Sequence, residues 1–184
     1  MVYTGILKSE IEEVLKKKGD FMQIDYLSDF LRKELPTDVK KFVYLKLADI
    51  YGRKSMFKEE ARIFDSLALN SIAFSEKVKY YVKEAEVFIR ACKFTDADSA
   101  MRKAMREANS IEREEIYYSV KDFYKKVAED YVKQVKRSSA VKVYEKLLNM
   151  RLTNFEKKEI KNKLIELYEK LGRFSEAKRL EVLG

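Results

Sequence analysis

Apolar residues along this chain recur three and four positions apart, pause for a short turn, and resume on the same spacing. That interval places them on one face of an α-helix. The clearest stretch runs Tyr81, Ala85, Phe88, then Phe94, Ala97, Met101, Ala104. A second reads Tyr44, Leu47, Ala48, Tyr51, then Phe57, Phe64, Leu67. A third reads Tyr124, Val127, Ala128, Tyr131, then Ala140, Tyr144, Leu147; a fourth reads Leu164, Ile165, Tyr168, Gly172, Phe174, Ala177. The pattern predicts helices over residues 3–18, 21–35, 37–53, 56–70, 73–91, 95–108, 110–135, 138–150, 154–171 and 174–183. Ala48, Ala85 and Ala128 predict close approach between helices. Ser9 with Glu12, Thr153 with Glu156, Thr95 with Asp98 and Asn109 with Glu112 have the spacing of helix-start caps.

A fainter copy stands at the front: Ile11, Leu15, Gly19, Phe21, Ile24, Leu31 and Pro36. With Leu15, Tyr51, Phe88, Tyr131 and Tyr168 as equivalents, the periods are 36, 37, 43 and 37 residues. Two helices and a turn at this period resemble the tetratricopeptide repeat (TPR) family, whose unit is about 34 residues. The resemblance covers nearly the whole chain. It implies an all-α, right-handed solenoid of about five helix-turn-helix units with longer than usual helices. The expected organisation is a single domain over 1–184, with units near 1–36, 37–72, 73–109, 110–152 and 153–184. Three residues depart from type: Glu60 where a small residue belongs, Glu84 where an apolar one does, and Arg137 in place of the turn aromatic. The extra length of the fourth unit falls at the front of helix 110–135, where Ile116, Val120, Phe123 and Val127 keep the helical stripe. Tyr117 and Tyr118 beside it either cover a neighbouring repeat or contact a ligand; packing is the preferred reading.

Charge follows the same repeat. One position after the small-residue slot stands an acid: Glu13, Asp49, Glu86, Glu129, Glu166. Four later stands a base: Lys17, Arg53, Arg90, Lys133, Lys170. Three before the acid stand Lys46, Lys83, Lys126 and Lys163, with Glu10 in the front copy. Acid followed by base at i,i+4 pairs on a helix, at about 0.2–0.5 kcal/mol each. The purely structural alternative is a lattice of surface ion pairs that sets the register of the stack. The TPR resemblance implies that these slots line a concave groove receiving a peptide. That groove would present Lys46, Asp49, Arg53, Lys83, Glu86, Arg90, Lys126, Glu129, Lys133, Lys163, Glu166 and Lys170. Phe42, Leu45, Val82, Ile89 and Val132 would be its apolar anchors. Such a surface suits a protein segment of mixed charge. Acids stand where chaperone-binding members of the family place asparagine, so a C-terminal carboxylate is not the expected ligand.

Composition narrows the function. Histidine is absent and there is one cysteine, Cys92, which removes imidazole bases, Ser-His and Cys-His dyads and zinc knuckles. Five scattered glycines make no phosphate loop. No enzyme activity and no cofactor or metal site are expected. The chain has no apolar run of membrane-spanning length and no signal-peptide core, and a single reduced thiol fits a cytoplasmic location. Net charge is +8. Basic character grows along the chain, from −2 over residues 1–39 to +6 over residues 113–184. That excess keeps nucleic acid as a third reading, disfavoured because acids interleave the lysines. Residues 61–105 also resemble, faintly, the soluble NSF attachment proteins, through Phe64, Lys79, Tyr80, Lys83, Ala85 and Ala100. Leu180, Val182 and Leu183 follow the last unit without a polar capping helix, which suggests self-association through the C-terminal unit. The expectation is a non-catalytic protein-binding adaptor; a structural oligomerising subunit is the alternative.

Overall fold

A computed structural model of the chain describes residues 8–182. Among them are ten α-helices: α1 (Lys8–Lys16), α2 (Asp20–Leu31), α3 (Thr37–Arg53), α4 (Phe57–Leu69), α5 (Phe74–Arg90), α6 (Phe94–Glu107), α7 (Ser110–Lys133), α8 (Arg137–Leu148), α9 (Asn154–Lys170) and α10 (Phe174–Val182). The fold is all-α, with odd-numbered first helices and even-numbered second helices. The expected start of the first helix, at residue 3, lies outside the described residues. α2 stops at Leu31, four residues before the expected position 35, with Arg32 as its C-cap; Pro36 disfavours helical backbone only at Leu35.

Two of the expected caps are present. Thr153 and Asn109 each accept from the backbone N–H three residues on, and Glu156 and Glu112 return the bond. Ser9 and Thr95 are not caps: both lie inside helices, and a cap residue needs non-helical backbone.

The turn inside each of the last four pairs is built the same way. Ser55, Cys92, Val135 and Gly172 all have positive φ, between 55° and 71°. The N–H after each reaches back to the carbonyl of Tyr51, Phe88, Tyr131 or Tyr168, at 2.8–2.9 Å. The N–H of the positive-φ residue itself bonds the carbonyl of Gly52, Ile89, Val132 or Glu169. These two bonds are the Schellman closure of a helix C-terminus. Only one of the four positions is glycine. The repeated aromatic therefore has two roles: its ring packs in the core, and its carbonyl anchors the turn.

Packing runs along the chain. α3–α4, α4–α5, α5–α6, α7–α8, α8–α9 and α9–α10 are close pairs. α5 also packs on α7, whereas α6 and α7, though consecutive, do not pack closely along their lengths. The core is correspondingly strung out. Ile11, Leu27, Val43 and Leu47 form a front cluster; Leu67, Tyr80 and Ala104 a middle one; Val120, Val143, Leu147 and Leu164 belong to a long C-terminal one. Ala48, Ala85 and Ala128 are buried, as close helix approach requires. The accessible surface is 11344 Å², against about 9,300 Å² for a compact monomer of this mass. The excess is what a stack of pairs, each leaning on its neighbours, produces.

Val135 is β-branched, 62% exposed and held at φ 59°. Left-handed backbone costs an L-residue about 1–2 kcal/mol, less the chain entropy that glycine gives up. Val135→Gly should therefore stabilise the protein by roughly 0.5–1 kcal/mol. Urea denaturation would show this as a raised midpoint at unchanged slope; an unchanged or lowered midpoint would contradict the turn assignment.

Candidate functional site

The ladder residues gather along the first helices, where four grooves follow one another. The first, about 330 Å³ between α1 and α3, is lined by Glu12, Lys46, Asp49 and Arg53. The second, about 380 Å³ between α3 and α5, shares Asp49 and Arg53 and adds Leu45, Glu60, Phe64 and Arg90. The third is the largest of the four, about 760 Å³; α4, α5 and α7 line it with Glu60, Lys83, Glu86, Arg90, Lys126 and Asp130, among others. The fourth, about 280 Å³ between α7 and α9, holds Glu129, Val132, Lys133, Lys163, Glu166 and Lys170. Phe42 and Val82 are half-buried and line none of these grooves. Ile89, expected as an apolar anchor, is fully buried in the core and cannot meet a partner. Leu45 and Val132 are exposed, at 41% and 42%.

The expected i,i+4 pairs form only in part. Asp49 pairs with Arg53 and Glu166 with Lys170. Elsewhere a different partner is taken. Glu13 takes Lys16 at 2.6 Å, Glu86 takes Lys83 at 2.6 Å, and Glu129 takes Lys163 of the next first helix at 3.4 Å. Lys46 reaches back to Glu12 at 2.6 Å. Arg90 leaves Glu86 for Glu60 at 2.5 Å. The reason is burial. The Glu60 side chain is only 7% exposed, and a buried carboxylate without a counter-charge costs several kcal/mol, far more than a surface pair returns.

Residues that break the hydrophobic pattern thus tie the stack. Glu60 binds Arg90 of the next pair. Glu84, also buried, accepts from Lys103 at 3.0 Å, and Lys103 bonds Asp65 on α4 at 2.7 Å. Burial pushes both the Glu60 and Glu84 carboxyls above the usual range, and their basic partners oppose it. Lys121, buried on α7, and Lys125 share one oxygen of Glu156 at 2.8 and 2.7 Å. Those two lysines, with the Thr153 N–H, hold Glu156 well below the ordinary carboxylate range. Tyr131 adds a fixed link, its hydroxyl donating to the Arg90 carbonyl. Tyr117 accepts from the Arg151 N–H at 2.6 Å, with the Arg151 guanidinium stacked on its ring, so it is a packing residue as expected.

The periodicity alone did not mark Asp130, Phe64 or Lys136 as groove residues. Glu60 was visible as an anomaly, but nothing in its spacing named Arg90 as its partner. At the C-terminal end, Leu180 packs against the core, Val182 is 79% exposed, and Leu183 lies outside the described residues. A further groove of about 840 Å³ lies there between α9 and α10, lined by Lys157, Lys158, Ile165 and Leu180 among others. Among the described residues, no group of acidic residues and cysteine could hold a metal ion, and no helix is long and apolar enough to cross a membrane.

No family model matches the chain, and no curated protein does. Among solved structures it is similar to the crystal structure of BtubC (BKLC) from P. vanneervenii, with 17% identity and a TM-score of 0.41, over 95% of this chain and 78% of that one. At those values the architecture is assigned from the helix packing itself.

The Glu156 node predicts a pH signature. Its folded pKa lies below the unfolded value of 4.5, so its contribution is complete above that pH and fades as pH falls. Glu156→Ala should cost about 2–3 kcal/mol at neutral pH, from a lost cap and an unpaired buried Lys121. The gap between the urea midpoints of variant and wild type should be constant above pH 4.5 and narrow steadily as pH falls below it. A pH-independent gap would assign the loss to packing instead.

Proposed function

We propose that this protein is a non-catalytic adaptor that binds a segment of mixed charge from another protein along its first-helix grooves. One observation carries the reading: charges of both signs line every groove in turn, with exposed Leu45 and Val132 between them. A peptide crossing them meets alternating charge and few apolar anchors, which selects by pattern more than by bulk hydrophobicity. Single-domain organisation across the five pairs belongs to this reading, as does a cytoplasmic setting. The interleaved acids, with Glu12 on Lys46 and Glu129 on Lys163, disfavour a phosphate backbone. A second reading, a subunit that associates through its C-terminal pair, is supported by exposed Val182 and the groove of mixed charge between α9 and α10.

The test is a charge reversal. Lys83→Glu, Lys126→Glu and Lys163→Glu together should weaken peptides selected from a random display library by about tenfold or more, with circular dichroism unchanged. Peptides that bind the triple variant as tightly as the wild type would place recognition elsewhere. A mass that rises with concentration in sedimentation, lost on Val182→Glu, would favour the second reading.

A further inference from the structure

The groove between α5 and α7 is where the ladder fails. On α3, α5 and α9 the lysine three before the acid is satisfied: Lys46 by Glu12, Lys83 by Glu86, and Lys163 by Glu129 and Glu159. Lys126 is exposed and has no ion pair among the described residues. Its natural counterpart on the preceding first helix, Glu86, is already taken by Lys83. The 43-residue spacing between these units and the loose α6–α7 junction accompany this break.

Asp130, one turn further along α7, is the stronger anomaly. Its slot follows the ladder acid by one residue. In the other units that slot holds Val14, Ile50, Val87 and Leu167, all apolar, the first half-buried and the other three buried. An acid there breaks the core pattern. The other pattern-breaking charges, Glu60, Glu84 and Lys121, each have a partner within the chain. Asp130 is half-buried in the groove, and its carboxylate has no partner among the described residues. The same groove keeps a further acceptor unused: Oε2 of Glu60 is buried without a hydrogen bond. A rule broken without internal compensation marks a functional position.

Resting on the adaptor reading, we propose that this groove binds an extended segment of a partner protein whose acidic and basic side chains are two residues apart. The acid meets Lys126 and the base meets Asp130. The geometry sets the spacing. Four residues of α-helix rise about 6.0 Å, and two residues of extended chain span about 6.6 Å with both side chains on one face. Two like charges at that spacing would be repelled by one of the two groove residues.

A random dodecapeptide library displayed on phage and selected against the full chain tests this. Acid–x–base or base–x–acid should be enriched about fivefold over acid–x–acid and base–x–base, the weight of one exposed charge pair. Asp130→Lys should shift the enriched set to acid–x–acid, and Lys126→Glu to base–x–base. Enriched peptides that lack the pattern, or that ignore Asp130→Lys, overturn this proposal; if they still depend on Lys83, Lys126 and Lys163, the adaptor reading survives. A library that yields no peptide sensitive to those lysines overturns both.

Discussion

No helix pair in this chain can bury its apolar stripe alone, and everything else follows from that constraint. Each pair closes its own turn and hides one face, and its remaining apolar surface must be covered by the next pair. The junctions therefore carry the stability. They are made of small residues that let helices approach, such as Ala48, Ala85 and Ala128, and of buried charges that cross from one pair to the next. Glu60 to Arg90, the Glu84–Lys103–Asp65 chain and Glu156 to Lys121 are such crossings. A buried ion pair adds little net stability over an apolar one, but an unmatched one is severely penalised. Such pairs fix register: a slipped junction would strand a charge.

Much of this was legible in the sequence. Spacings of three and four located all ten helices, and the recurring aromatic located the turns. Why that aromatic recurs at one fixed distance from the helix end was not legible: its carbonyl closes the Schellman turn, a backbone property that side-chain periodicity cannot reveal. The charge ladder was correct as a pattern and incomplete as a set of bonds. Spacing along one helix predicts pairs such as Glu86 with Arg90, but a buried carboxylate 30 residues away competes for the same guanidinium and takes it. Ile89 was misplaced for a related reason. It lies next to the ladder base, yet that face of α5 turns toward the α7 side of the core.

The functional reading rests on where regularity is broken and how each break is answered. Glu60 and Glu84 looked like faults in the repeat and are junction ties, as is the buried Lys121. Asp130 looked unremarkable, because an acid near the end of a charged helix attracts no notice until its slot is compared across units. In a stack, that comparison is physical: equivalent slots meet equivalent surroundings, so a residue unlike its counterparts and without a partner stands out against its neighbours.

The central claim is that the pairs form an elongated stack with first-helix grooves open to a partner. Small-angle X-ray scattering from the monomer tests it most directly. A compact domain of this length has a radius of gyration of about 16 Å. The stack predicts a distinctly larger value and a pair-distance distribution skewed to long distances. A value near ~16 Å with a symmetric distribution would mean the helices converge on one common core, and the grooves described above would not exist.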